Sequence, residues 1–187
     1  VMGRKDTVEK IQANSFSPPG TFETADILDR LETARERVLK QNSVSLEVAR
    51  ALETDPELSE IVGQVWYPGL ESHPDYIVAK KQMTGFGGLV YLSLRVPIGR
   101  TIPSVDETRI FLDASKIPNA ASFGGDFTMM QVPVDISYSE FDRRDRLVRF
   151  GVDDNVLRLA IGWNETAESI IERLRAGARA LKAARQI

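Results

Sequence analysis

A chain of 187 residues with 42% hydrophobic content can bury one good core and has room for extensions around it. A net charge of -3 and a pI near 5.4 exclude the strongly basic balance of nucleic-acid binding or of attachment to an anionic membrane. The lack of cysteine excludes disulfides, thiolate metal sites and a cysteine nucleophile, and fits a reducing, cytoplasmic compartment.

The chain opens on Val1-Met2-Gly3, which suggests a processed or partial polypeptide, and no signal-peptide pattern follows. Residues 14–24 are rich in Pro, Gly and Ser and read as a loop or arm, with Thr21 to Thr24 able to cap what comes next. Ile27, Leu28, Leu31, Ala34, Val38, Leu39, Leu46, Ala49 and Leu52 then recur at helical spacing, predicting one helix over 25–53 that ends at Asp55-Pro56. Residues 60–67 read as a strand, 75–83 as a helix and 88–96 as a strand. A loop at 97–103, a helix over 105–115 and a short strand or extended segment over 117–123 follow. Residues 155–161 read as a strand and 165–185 as a helix, with Ile170, Ile171, Leu174, Ala178 and Leu181 as its apolar stripe. This order predicts an α/β fold: a largely antiparallel sheet of strands near Val62, Leu89, Ile117 and Val156, with the helices starting near Ala25 and Glu165 packed together. No apolar run approaches the length of a membrane span.

Chemistry concentrates in two places. Residues 67–88, YPGLESHPDYIVAKKQMTGFGG, join a proline-locked turn, a helix and a glycine-rich strand entry. Gly85, Gly87 and Gly88 lack the Gly-Lys-Ser/Thr and the following helix that a phosphate cradle needs. His73 is the only histidine, which excludes a His-based metal cluster, and reads as a turn residue whose ring caps or packs. The second place is Arg158, which reads equally from periodicity as a carboxylate grip or as the partner of a local acid at a strand end. A guanidinium offers two parallel donors to a carboxylate. The basic cluster at Arg143, Arg144, Arg146 and Arg149 is interleaved with Asp142 and Asp145 and reads as a solvated or subunit-facing surface.

Several of these segments together resemble one family. Tyr67-Pro68-Gly69-Leu70, Ser72-His73-Pro74, Ala79, Gln82 and Gly85-Phe86-Gly87-Gly88 are similar to the small-domain segment of the pyridoxal-phosphate enzymes of cysteine and methionine metabolism, the cystathionine gamma-synthase and gamma-lyase group. Thr33, Arg37, Val48, Ala49, Leu52 and Glu53 resemble its long interdomain helix. Ala120, Ser122, Gly124 and Gly125 resemble its Glu-Ser-Leu-Gly-Gly turn, and residues 151–155 with Leu157 to Gly162 its last strand. The departures are Ala121 for glutamate, Phe123 for leucine, Asp126-Phe127-Thr128 after the glycines, and the missing Met-Thr-His at 133–138.

The resemblance implies a C-terminal small domain of a fold-type I enzyme over 25–187, with helices packed on one face of a mostly antiparallel sheet, a long interdomain helix over 25–53, and an arm or large-domain remnant at 1–24. It implies that Arg158 grips the substrate α-carboxylate and that the turn at Ser122 lines the same pocket. It also implies a Schiff-base lysine in a Ser-x-x-Lys context, yet none of the seven lysines has a serine three residues earlier. No catalytic residue is therefore expected in the chain itself, and pyridoxal phosphate is expected to be held mainly by a missing domain or partner chain. The expected activity is trans-sulfuration-type lyase or transferase chemistry on sulfur-containing or O-activated amino acids, shared with a front-half polypeptide or homologous subunit in an oligomer. The alternative is a degenerate, non-catalytic subunit that stabilises a complete relative.

Overall fold

The computed structural model describes residues 3–14, 20–96, 105–132 and 156–185. The loop expected at 97–103, the arginine cluster at 142–149, the 133–138 departure and the motif at 151–155 lie outside them. The chain divides into two compact units, residues 1–36 and 37–187. The first holds α1 (Lys5–Ala13) and α2 (Thr21–Glu32), whose Phe22, Leu28 and Leu31 are exposed.

The stretch expected as one helix over 25–53 is two helices, α2 and α3 (Ala34–Thr54), separated at Thr33, where φ is -99° and ψ 0°. A β-branched residue has low helix preference. The second unit runs from α3 through α4 (Pro56–Ser59), β1 (Val62–Trp66), α5 (Tyr76–Gln82), β2 (Leu89–Leu94), α6 (Val105–Ser115), β3 (Met129–Gln131) and β4 (Val156–Ala160) to α7 (Ala167–Ala184). Asp55 starts α4 by accepting from the amides of Glu57 (3.0 Å) and Leu58 (3.2 Å), and Thr166 caps α7 through the Ser169 amide.

The four strands form one antiparallel sheet in the order β1-β2-β4-β3. One sheet face carries Val62, Val65, Val90, Leu92, Leu94, Leu157, Leu159 and Met130 into a single core with Leu52 of α3, Phe111 of α6 and Ile170, Leu174 and Leu181 of α7. The expected α/β class, with helices against one face of an antiparallel sheet, is what the chain adopts.

Two details differ. The third strand is not 117–123 but β3 at Met129–Gln131; only Asn119 of the former makes a bridge, to Met130. Pro118 has no N–H to give a ladder, and Lys116, two residues before it, sits at φ 52°, so that segment turns and offers the Pro118 carbonyl to the Met130 amide at 3.0 Å instead. The main helical partner of α7 is α6 rather than the helix begun near Ala25. Gly177 permits the approach, since a Cβ there would stand 2.7 Å from the Phe111 carbonyl oxygen.

Residues of α3 fasten the inner strands. Gln41 donates to the Ile161 carbonyl at 2.9 Å, and Asn42 accepts from the Gly87 amide at 2.8 Å, where Gly87 has φ 85°. In the turn of residues 67–75, His73 Nδ1 accepts from the Asp75 amide at 3.1 Å, which makes it a turn residue rather than the cap of α5, whose first flanking residue is Asp75.

Candidate functional site

β4 alternates Leu157, Arg158 and Leu159, so the two leucines enter the core and the arginine faces the other side. Directly opposed residues of antiparallel strands share a face. The pairings Trp66↔Tyr91, Tyr91↔Arg158 and Arg158↔Gln131 therefore lay a row of four side chains across the second face. Arg158 is buried, at 8% exposure, and Gln131 is buried more deeply still.

Two contacts hold the guanidinium. Nη2 donates to Gln131 Oε1. The Phe123 ring covers it, with the guanidinium carbon 4.4 Å from the ring centroid. Nε is buried and has no acceptor among the described residues. Arg158 makes no ion pair among the described residues; Asp153 and Asp154, the acids nearest its strand end, lie outside them.

The turn that brings Phe123 there is laced onto the segment after β4. Ser122 Oγ accepts from the amides of Gly124 and Gly125, each at 3.3 Å, and Gly124 takes φ 132°. Asp126 accepts from the Trp163 indole at 2.7 Å, and Thr128 Oγ1 accepts from the Gly162 amide at 3.0 Å. Glu165 accepts from the Thr128 amide and pairs with Arg173 of α7. Asp126 and Thr128, departures in the sequence comparison, are thus the turn's own fastenings. Ser122 stands beside Phe123 in the chain but spends its oxygen on the turn; Phe123 is the turn residue that reaches Arg158.

Gln131 and Phe123 were not among the sequence candidates. A lone amide within Met129-Met130-Gln131-Val132 was the available signal for the first, and an aromatic residue at an exposed turn position for the second. The row's Tyr91 carried no such signal.

The charged groups with displaced ionisation lie elsewhere. Burial would raise the Asp55 carboxyl, but hydrogen bonds from Arg175, Leu58 and Glu57 and the Arg175 charge outweigh it and hold the group below its ordinary value. Hydrogen bonds from Arg179 to Glu57, and from Arg175 and Arg179 to Glu172, lower those acids as well. This network ties α4 to α7. Burial pushes the Tyr67 phenol up to about 12, and its hydroxyl donates to the Gly87 carbonyl at 2.9 Å.

All seven lysines are described; none is buried, and Lys182 pairs with Glu60. Among the described residues, no cluster of His, Asp and Glu could hold a metal ion, and no helix is long and apolar enough to cross a membrane.

Comparison with known proteins identifies this architecture. The family described as Cys/Met metabolism PLP-dependent enzyme matches residues 5–179. Cystathionine gamma-synthase 1, chloroplastic, of Arabidopsis thaliana is 36% identical over 154 residues, covering 80% of this chain and 25% of that protein. Cystathionine gamma-lyase of Dictyostelium discoideum is 28% identical over 153 residues, covering 81% of this chain and 36% of that protein. Among solved structures, cystathionine gamma synthase from Xanthomonas oryzae pv. oryzae in complex with cystathionine superposes with a TM-score of 0.72 at 26% identity, over 87% of this chain and 39% of that one. The chain thus spans 25% to 39% of the length of these three proteins. It belongs to the Cys/Met metabolism PLP-dependent enzyme family.

Proposed function

We propose that this chain supplies the α-carboxylate site of a trans-sulfuration-type enzyme acting on sulfur-containing or O-activated amino acids, with Arg158 as the gripping residue. The observation that carries the reading is the buried Arg158 Nε, which has no acceptor among the described residues, on a guanidinium whose described hydrogen-bond partner is a neutral amide. An unmet buried donor costs about 1–3 kcal/mol, which an incoming carboxylate relieves.

Pyridoxal phosphate belongs to the family's chemistry, where it acts as an electron sink for carbanions. The residues of this chain fit the substrate end of such a site but not the cofactor's attachment. An imine-forming lysine is activated by desolvation, and none of the seven here is buried. The lysine and the cofactor's other contacts therefore come, in this reading, from a front-half polypeptide or a homologous subunit, and no step is assigned to this chain beyond binding and orienting the amino acid.

The lack of a desolvated lysine also favours a second reading, a non-catalytic subunit that stabilises a complete relative.

Titration of the 15N-labelled chain with L-methionine tests the first. The Arg158 Nε–H resonance shifts on binding, L-methioninamide binds more weakly, and Arg158→Lys costs about 2 kcal/mol, roughly thirtyfold in affinity, at unchanged melting temperature. A lowered melting temperature with unchanged affinity would leave Arg158 a structural residue.

A further inference from the structure

Gln131 is a costly residue to bury. It is 1% exposed, on a short strand whose neighbours Met130 and Val132 are buried and apolar, and an amide removed from water is unfavourable unless it is hydrogen-bonded. Its Oε1 accepts from Arg158 Nη2 across the β3–β4 pair.

The chemistry of that partner matters. A carboxylate at position 131 would orient the guanidinium equally well, but it would cancel the arginine's charge and repel a second carboxylate arriving at the same group. An apolar side chain would preserve the charge but leave a further buried donor unmet and the planar fork without a fixed direction. The amide is the one choice of this size that orients the fork and leaves its whole charge for a ligand. Phe123 agrees with this arrangement: it covers the guanidinium face with a ring that carries no net charge, so both of the arginine's described neighbours are neutral.

We propose that Gln131 is a positioning residue that keeps Arg158 oriented and uncompensated, and so sets the preference of the site for an amino-acid carboxylate over its neutral amide. This inference rests on the carboxylate-binding reading of Arg158 given above.

The test uses the full chain as wild type, Gln131→Met and Gln131→Glu, titrated with L-methionine and L-methioninamide, with melting temperatures measured in parallel. The wild type prefers the carboxylate. Gln131→Met loses about tenfold in L-methionine affinity through loss of orientation, and Gln131→Glu loses the preference itself, its ratio of L-methionine to L-methioninamide affinity falling by roughly a hundredfold. A residue that serves only the sheet would lower the melting temperatures and leave that ratio at the wild-type value in both variants, which overturns the inference and leaves the role of Arg158 standing. A wild type without preference for L-methionine overturns both. Should Gln131→Glu fail to fold, the tenfold loss in Gln131→Met decides alone.

Discussion

Asp55 and Arg175 stand 120 positions apart in the chain and meet through two hydrogen bonds, from Nε at 3.1 Å and from Nη2 at 2.7 Å, both to the same carboxylate oxygen. The other oxygen of Asp55 caps α4. One side chain therefore starts a helix and joins the corner after α3 to α7.

The two duties separate by substitution. Asparagine caps nearly as well as aspartate, whereas alanine does not cap, so Asp55→Ala is less stable than Asp55→Asn by about 1 kcal/mol in chemical denaturation. Because the folded carboxyl sits below its unfolded value, the pairing contributes stability that is present above an unfolded value of 3.8 and is lost as pH falls through the folded one. Asp55→Asn flattens the acid limb of a melting-temperature profile. An unchanged limb would mean that Arg175 does not govern it.

Removing the Phe123 ring uncovers Arg158. The side chain is 76% exposed, so Phe123→Ala changes stability little. Displacing a cation–π contact costs about 0.5–1 kcal/mol, so with Arg158 as the proposed carboxylate grip, removing the ring is expected to tighten L-methionine binding by roughly two- to fivefold in a titration. Weaker binding would instead make the ring a contact for the ligand.

Gly177→Ala gains helix preference but drives a methyl against a backbone carbonyl that cannot rotate away. With Phe111 O at 2.7 Å and Phe111 Cδ2 at 3.1 Å, the clash prevails and the variant loses about 1–3 kcal/mol in urea unfolding. A gain in stability would show that α6 and α7 separate freely.

Tyr67→Phe deletes the hydrogen bond to Gly87 and costs about 1 kcal/mol. The phenol is raised by burial from 10.0 to about 12, so the neutral form is favoured in the folded chain. Its contribution is complete below pH 10 and disappears as pH rises towards 12. Alkaline melting curves of wild type and variant should converge across that window; parallel curves would contradict the assignment.

The elements long enough to show a period were legible in the sequence. Leu89–Leu94 and Val156–Ala160 have branched side chains at their core positions, and α7 shows an apolar stripe over many turns. β3 was not legible, because three residues with no β-branching carry no period and the strand exists only through its pairing with β4. The same holds for the site. Arg158 could be picked out from its local motif, but Gln131 and Phe123 reach it only through strand register and through a turn fastened by Asp126 and Thr128, which are tertiary facts.

The row Trp66, Tyr91, Arg158 and Gln131 has a consequence for how the sheet assembles. Side chains alternate along β4, so pairing it one residue out of step would turn Arg158 in among Val90, Leu92 and Met130 and turn Leu157 and Leu159 out to the second face. A guanidinium without a partner in such surroundings is prohibitively unfavourable. The arginine thus acts during folding as a proofreader: a misaligned sheet is rejected by the same charge that the aligned sheet presents.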